Sequence, residues 1–340
     1  DLNGNYRLTS DIKLTKAWSG IGKPASGSDK GVSFNGRFNG NGYSISGFSM
    51  EDPNGFNMGF FMQTGSEAII EKVKLEGTVK GRNYCSALVG INNGVVRNCV
   101  AEVDVTGKSA PSSGLVGTNN GKIINCYALG QVTVKENDKH GAGFVNVNSA
   151  TKGSIESSFA LNSSMKYAIG YNKVNDIKIQ KSKAQLQTAE TFTDWNTDVW
   201  YITDKMYPVL KYPDFQEADV LPQSVTIVDC NETLSPGNYI LQTKVYPERA
   251  PQDTELLLTE SVNGVKLEEN VLTIDSSVED GAIVKIKVVS AYNSMIYATI
   301  KLFVSSVVWT DISTEDELRR ISDDLNGNYR LTSDIKLTKA

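Results

Sequence analysis

Histidine and cysteine are scarce in this 340-residue chain, which has one histidine, His140, and four cysteines, Cys85, Cys99, Cys126 and Cys230. No two cysteines form a CxxC pair, which removes the usual spacing of structural zinc and dithiol redox sites. His140 ends the charged run KENDKH, the setting of a solvated loop residue rather than a general base. No metal and no cofactor is therefore expected. Basic excess is missing too. A net charge of −5 and a pI near 5.2 exclude the electropositive footprint that nucleic acid requires. No run of about 18 apolar residues occurs, so no helix is expected to insert into a membrane. HExxH, GxSxG and P-loop motifs are also absent.

What the chain does contain is turn-rich and strand-rich. Glycine occurs 29 times, Asn-Gly pairs recur, and 40% of residues are hydrophobic, enough for packed cores. The sequence also repeats itself. Residues 1–17, DLNGNYRLTSDIKLTKA, return without one change at 324–340, an offset of 323. This predicts one period of a longer tandem array, with both ends of the chain falling inside a repeat. A period of that length fits two ordinary domains.

A shorter repeat lies inside the first. SALVGINNGVVRNCVAEVDVTG (86–107) aligns with SGLVGTNNGKIINCYALGQVTV (113–134) at an offset of 27. Leu88 falls on Leu115, Gly90 on Gly117 and Cys99 on Cys126. Looser copies occupy 58–81, 141–164 and 167–186. Each copy alternates short apolar runs with Gly or Asn-Gly corners, too short for helices. The pattern predicts a right-handed parallel β-helix, in which every coil hydrogen-bonds to the next at about 4.8 Å. Equivalent residues then stack in the core. Cys99 and Cys126 are expected as buried free thiols, because in-register strands hold β-carbons farther apart than the roughly 3.8 Å a disulfide prefers.

The run Gly114-Leu115-Val116-Gly117, with Asn119-Asn120-Gly121 and Asn125-Cys126-Tyr127-Ala128, resembles the GLUG motif of bacterial surface proteins. Such proteins include filamentous-haemagglutinin-like adhesins and the non-catalytic parts of some immunoglobulin A peptidases. The resemblance extends over roughly 1–213 and 311–340. It implies a β-helix fold and an extracellular, bacterial cell-surface location. Residues 188–213, with Phe192, Trp195, Trp200 and Tyr207, are expected to close the last coil, completing a first domain over 1–215.

From 216 to 307 the pattern changes to six or seven strand candidates separated by turn signals, the pattern of an immunoglobulin-like β-sandwich without the Cys…Trp…Cys trio. Leu241–Pro247 and Ala298–Val304 resemble bacterial Ig-like domains. Residues 308–340 then read as the start of the next repeat. Thr314 and Glu317 form a capping box for a short helix carrying Leu318 and Ile321, followed by the first strands. The fold class expected is thus all-β.

The expected function is a non-catalytic cell-surface tandem-repeat module, acting as stalk, as adhesin or as both. Its partner would be a host or bacterial surface protein or a glycan. The alternative is a carbohydrate-active β-helix enzyme or a glycan-binding module of a secreted enzyme. Glu102 and Asp104 share a strand face, but their equivalents Leu129 and Gln131 are uncharged, so a solvated outer face is expected there. Thr78, Thr106 and Thr133 approach the regular array an ice- or mineral-binding face needs, though neighbouring positions do not repeat. Ligand contacts are expected in the loops between coils, at Asp52, Asn54, Lys108, Ser112, Asn137 and His140. The structural positions are Leu88, Leu115, Gly90, Gly117, Cys99, Cys126, Trp195 and Trp200. The duplicated ends also predict head-to-tail self-association through 308–340 and 1–17.

Overall fold

The computed structural model describes residues 1–24, 31–108, 111–134, 141–161, 165, 167–171, 178–305 and 309–338. The chain forms two compact units, Asp1–Phe215 and Gln216–Ala340. Strands dominate both, and the protein is all-β.

In the first unit the chain passes through three parallel sheets in turn and then begins again. One sheet stacks Asn5–Arg7, Arg37–Asn39, Ile69–Glu71, Val95–Arg97, Lys122–Ile124 and Ser154–Glu156. A second runs from Ile12–Lys13 through Ser44–Glu51, Lys74–Gly81, Val100–Gly107, Tyr127–Ala128 and Phe159–Leu161 to Gln180–Lys181. A third holds Phe61–Gln63, Val89–Asn92, Val116–Asn119 and Val145–Asn148. Successive strands of a sheet belong to successive circuits. The register gives Val89↔Val116, Val95↔Lys122 and Val100↔Tyr127, the 27-residue offset read from the sequence. Leu88 N–H donates to Leu115 C=O at 3.0 Å.

The apolar side chains of all three sheets point into one core, including Phe61, Ile70, Leu75, Leu88, Val96, Leu115, Ile123 and Phe144. Cys99 and Cys126 lie there, buried and free, with Cys99 N–H 3.4 Å from Cys126 Sγ. Two polar devices close the corners. Between the third and first sheets, Asn92 Nδ2 donates to Asn119 Oδ1 (2.8 Å) and Asn119 Nδ2 to Asn148 Oδ1 (2.7 Å). Between the first and second sheets, Lys72, Asn98, Asn125 and Ser157 take left-handed φ values of 52°, 52°, 52° and 41°. Their backbones remain in the ladder, Asn98 N–H donating to Ile124 C=O at 2.9 Å. Among residues with a side chain asparagine tolerates that conformation best, and the two best-repeated copies place it there.

Gly90 and Gly117 lie within third-sheet strands rather than at bends. An added β-carbon would stand 2.1 Å from Asn57 O at Gly90 and 2.5 Å from Gly90 O at Gly117. Glycine is required there because neighbouring backbones approach too closely for any side chain.

Residues 188–213 do not lie over the last circuit, contrary to the sequence expectation. They pack along the outer face of the second sheet. Val100, Tyr127 and Phe159, in register on successive circuits, turn away from the main core and join Leu186, Phe192, Trp195, Trp200 and Leu210 in a second core. Trp195 Nε1 donates to Ser157 C=O (2.8 Å), Trp200 Nε1 to Asn98 Oδ1 (3.1 Å), and Tyr127 O–H to Pro208 C=O (2.6 Å). Tyr212 then stacks on Tyr43, two circuits further back. The aromatic ladder on the sheet's outer face attracts this segment more strongly than the end of the stack, because burying large rings is its main gain.

In the second unit Ser224–Val228 pairs antiparallel with Gln242–Tyr246. A four-stranded sheet contains Thr233–Leu234, Tyr297–Val304, Ile283–Ser290 and Thr254–Leu258, and a three-stranded one Gly237–Ile240, Val271–Ile274 and Val265–Glu268. All three sheets contribute to one core through Val225, Val245, Leu272, Ile274, Ile286, Val288 and Leu302. Trp309–Ile312 and Asn328–Leu331 pair in parallel, joined by the helix Glu315–Arg319 and a 3-10 turn. Thr314 Oγ1 accepts from Glu317 N–H, and Glu317 Oε2 accepts from Thr314 N–H, so the capping box is made.

Candidate interaction surface

The second-sheet strand Ser44–Glu51 pairs with Lys74–Gly81, in continuous register from Phe48 to Glu51 after a shift between Ile45 and Phe48. Lys74–Gly81 pairs in register with Val100–Gly107, so the loops that leave these strands stack on one corner. Asp52 N–H donates to Lys80 C=O (3.0 Å) and Lys108 N–H to Gly81 C=O (3.0 Å). Arg82 and Asn83 both donate to Gly55 C=O, and Tyr84 N–H donates to Pro111 C=O at 2.9 Å. The corner is therefore a ridge held by backbone bonds.

Asp52, Asn54 and Lys108 are exposed on this ridge. Asp52 Oδ1 accepts from Asn54 N–H (2.9 Å), which fixes the loop's shape. Ser112 belongs elsewhere. It is fully buried, and its carbonyl accepts from Ala142 N–H, so its hydroxyl cannot meet an external ligand. The packing of one circuit on the next overrides its polar character. Asn137 and His140 lie outside the described residues.

Two ridge residues, Arg82 and Tyr84, escaped the sequence reading, while Phe56 lies in the same inter-coil loop as Asp52 and Asn54. Phe56 and Tyr84 are 44% and 36% exposed, and the Arg82 guanidinium lies 5.5 Å from the Phe56 ring centroid. Tyr84 has φ 55° and Asn57 φ 50°, a costly conformation for tyrosine that the Pro111 bond helps to hold. The legible signal was the interruption Arg82-Asn83-Tyr84 between two copies, a tripeptide with no apolar partner of its own. The Phe56 ring beside the Arg82 guanidinium, with the exposed Tyr84 ring two residues on, offers a flat face for a planar or pyranose group and donors for its edge.

The acidic residues weighed for catalysis are engaged structurally. Glu102 is in register with Glu76, and Lys74 Nζ bridges them at 2.9 and 2.6 Å. Burial presses the Lys74 ammonium down, but Glu102 and Glu76 outweigh it and hold it above the ordinary lysine range. Asp104 Oδ1 accepts from Gln131 N–H (2.8 Å) and faces Thr78 in the register, while Thr106 pairs with Thr133. The threonines therefore form no continuous column. Glu71 is buried between two arginines, with Arg37 Nε at 2.6 Å and Arg97 Nε at 2.8 Å. Desolvation pushes its carboxyl up, and the Arg37 and Arg97 hydrogen bonds and charges more than reverse this, leaving it below the usual range. Among the described residues, no three His, Cys, Asp or Glu side chains converge as metal ligands, and no helix is long and apolar enough to cross a membrane.

Comparison with known proteins places this chain beside two others. It is 30% identical over 115 residues to a halomucin of Haloquadratum walsbyi, covering 32% of this chain and 1% of that protein. It is 35% identical over 110 residues to a putative Gly-rich membrane protein of Evansella cellulosilytica, covering 29% of this chain and 12% of that one. The aligned stretch is thus a small part of either relative. No family model matches the chain, and no solved structure matches it. The distant similarity is compatible with a surface or membrane-associated role.

Proposed function

We propose that the protein is a non-catalytic module of a tandem-repeat cell-surface protein, combining a stalk segment with a contact surface. In this reading the first unit is a right-handed parallel β-helix of the GLUG type and the second an Ig-like β-sandwich spacer. The observation that carries it is the stacking of strands from successive circuits in three parallel sheets, combined with the unchanged return of 17 residues. Seven stacked strands at about 4.8 Å rise to roughly 30 Å, and further copies multiply length and contact sites without new chemistry. The similarity to a halomucin and a putative membrane protein supports an extracellular setting.

The contact surface is the ridge of Asp52, Asn54, Phe56, Arg82, Tyr84 and Lys108, and its partner a glycan or a surface protein. A glycan and matrix-protein array probed with the 340-residue chain tests this. Specific hits are expected to weaken at least tenfold in Arg82→Ala and Tyr84→Ala. Hits that both substitutions leave unchanged move the contact off the ridge. An array without hits reduces the role to a spacer, and turnover of an arrayed glycan replaces it with an enzyme.

A further inference from the structure

The heptapeptide Asp-Leu-Asn-Gly-Asn-Tyr-Arg occurs twice, and the structure shows it in two surroundings. Locally the two copies fold alike. Asn3 N–H donates to Asp1 Oδ1 and Asn326 N–H to Asp324 Oδ1, at 2.9 and 3.0 Å. Tyr6 O–H reaches Asp1 C=O, and Tyr329 O–H reaches Asp324 C=O. Both copies then form a strand, Asn5–Arg7 and Asn328–Leu331.

The two strands use opposite edges. In an extended strand, successive residues aim their backbone N–H and C=O groups to opposite sides. The first copy pairs with Arg37–Asn39 through its even residues. Arg37 N–H donates to Gly4 C=O, and Leu8 N–H to Asn39 C=O. The second copy pairs with Trp309–Ile312, and there Thr332 N–H donates to Ile312 C=O at 3.0 Å. Subtracting the offset (332 − 323 = 9) makes Thr332 the counterpart of Thr9, an odd position. The two pairings therefore do not compete, and one such strand can make both at once.

Side chains agree with the backbone. Leu8 is 9% exposed over the first core, whereas its counterpart Leu331 is 64% exposed. Among the described residues the second copy pairs with Trp309–Ile312 and the first with Arg37–Asn39, where Asn5–Arg7 is the terminal strand of its sheet. Across the second copy's pairing Arg330 Nε meets Asp311 Oδ1 at 2.5 Å. Its counterpart Arg7 is exposed.

We infer that the outer edge of Asn5–Thr9 is a docking site for the Trp309–Asp323 segment of a second copy of this sequence. The docked strand would pair as Trp309–Ile312 pairs with Asn328–Leu331, its Asp311 meeting Arg7. Each copy thereby founds the strand stack of the next, and the contact is head-to-tail and continues without closing. This goes beyond the proposed surface role and holds whether or not the ridge binds a ligand.

The test is a fluorescein-labelled peptide of residues 309–323, titrated against the 340-residue chain by anisotropy with a scrambled peptide as control. Saturable binding is expected. Thr9→Pro removes the donor N–H and abolishes it, while Thr332→Pro, which acts only on the second copy, leaves it intact. Arg7→Asp weakens it at least tenfold, and an Asp311→Arg peptide restores binding to the Arg7→Asp chain, a rescue that a folding defect does not produce. Thermal midpoints of the exposed Thr9 and Arg7 variants stay at the wild-type value. Absence of saturation, binding unchanged by Thr9→Pro, or failure of the charge swap overturns the inference.

Discussion

Replacing Asn119 by leucine tests whether the buried asparagine column specifies the stacking of circuits. Asn119 Oδ1 accepts from Asn92 Nδ2 at 2.8 Å and from Gly121 N–H at 3.3 Å, and its Nδ2 donates to Asn148 Oδ1 at 2.7 Å and Ser154 C=O at 3.2 Å. Leucine has similar bulk and satisfies none of these. Asn92 Nδ2 is left with two contacts at 3.4 Å, and the Gly121 N–H loses its side-chain acceptor at a buried position. A stranded buried polar group costs about 1–3 kcal/mol, so two of them with the other lost bonds give about 3–4 kcal/mol. The neighbour Asn120 is the control. It makes one side-chain bond, 3.1 Å to Asn93 Oδ1, at a half-buried position, and Asn120→Ala should cost under about 1 kcal/mol. Urea unfolding followed by tryptophan fluorescence reads mainly the first unit, because three of the four tryptophans, Trp18, Trp195 and Trp200, belong to it. If Asn119→Leu shifts the midpoint no more than Asn120→Ala, the column is incidental and the reasoning fails.

Glu71→Gln should destabilise the first unit by about 2 kcal/mol near neutrality, a value held down because both arginine partners are about half exposed. The native carboxyl titrates below its unfolded value, so the wild-type advantage is complete above the unfolded pKa and disappears as pH falls through the native one. Urea midpoints from pH 7 down to pH 3 should converge, and a constant gap would show the carboxylate charge to be irrelevant. Burial pushes Cys85 up to about 11 and Cys99 well above the ordinary thiol range, and leaves Cys126 buried, whereas Cys230 is partly accessible. Ellman's reagent at pH 8 should therefore titrate one thiol in the folded protein and four in denaturant; two or more fast thiols would contradict the packing. Lys72→Asn should raise stability by about 0.5–1 kcal/mol, since it places the residue of the two best-repeated copies at a left-handed corner. Unchanged or lower stability would mean that the corner is not strained by lysine.

The three-sheet stack was legible where copies kept their length. Val89↔Val116 and Val95↔Lys122 carry the same 27-residue offset as the aligned residues, because nothing is inserted between those circuits. Elsewhere the offset varies, 26 for Ile69↔Val95, 28 for Phe61↔Val89 and 32 for Lys122↔Ser154, and a search at fixed period blurs. The insertions fall mainly at corners, where length costs little, and the register beyond them recovers. In the second unit the strands lying in longer apolar runs were readable. Val265–Glu268 and Thr233–Leu234 were not, since each carries few apolar positions and gains its place from a neighbour's edge.

The outer-face packing of residues 188–213 and the joining of separate loops into one ridge were illegible for a shared reason. A period-two pattern says which residues point inward on one strand, but nothing about what lies across the opposite face. Val100, Tyr127 and Phe159 sit at the same register position and read individually as ordinary strand residues. Only their stacking makes an apolar column long enough to hold Trp195, Trp200 and Leu210. The ridge arises in the same way, from Phe56 and Arg82, 26 residues apart, brought together because Glu51 pairs with Lys80. In a stacked architecture the functional neighbourhood runs across circuits rather than along the chain. Surface residues of this kind are therefore found from register: given Glu51↔Lys80 and Gly81↔Gly107, the loops after each strand must share one edge, whatever their sequences.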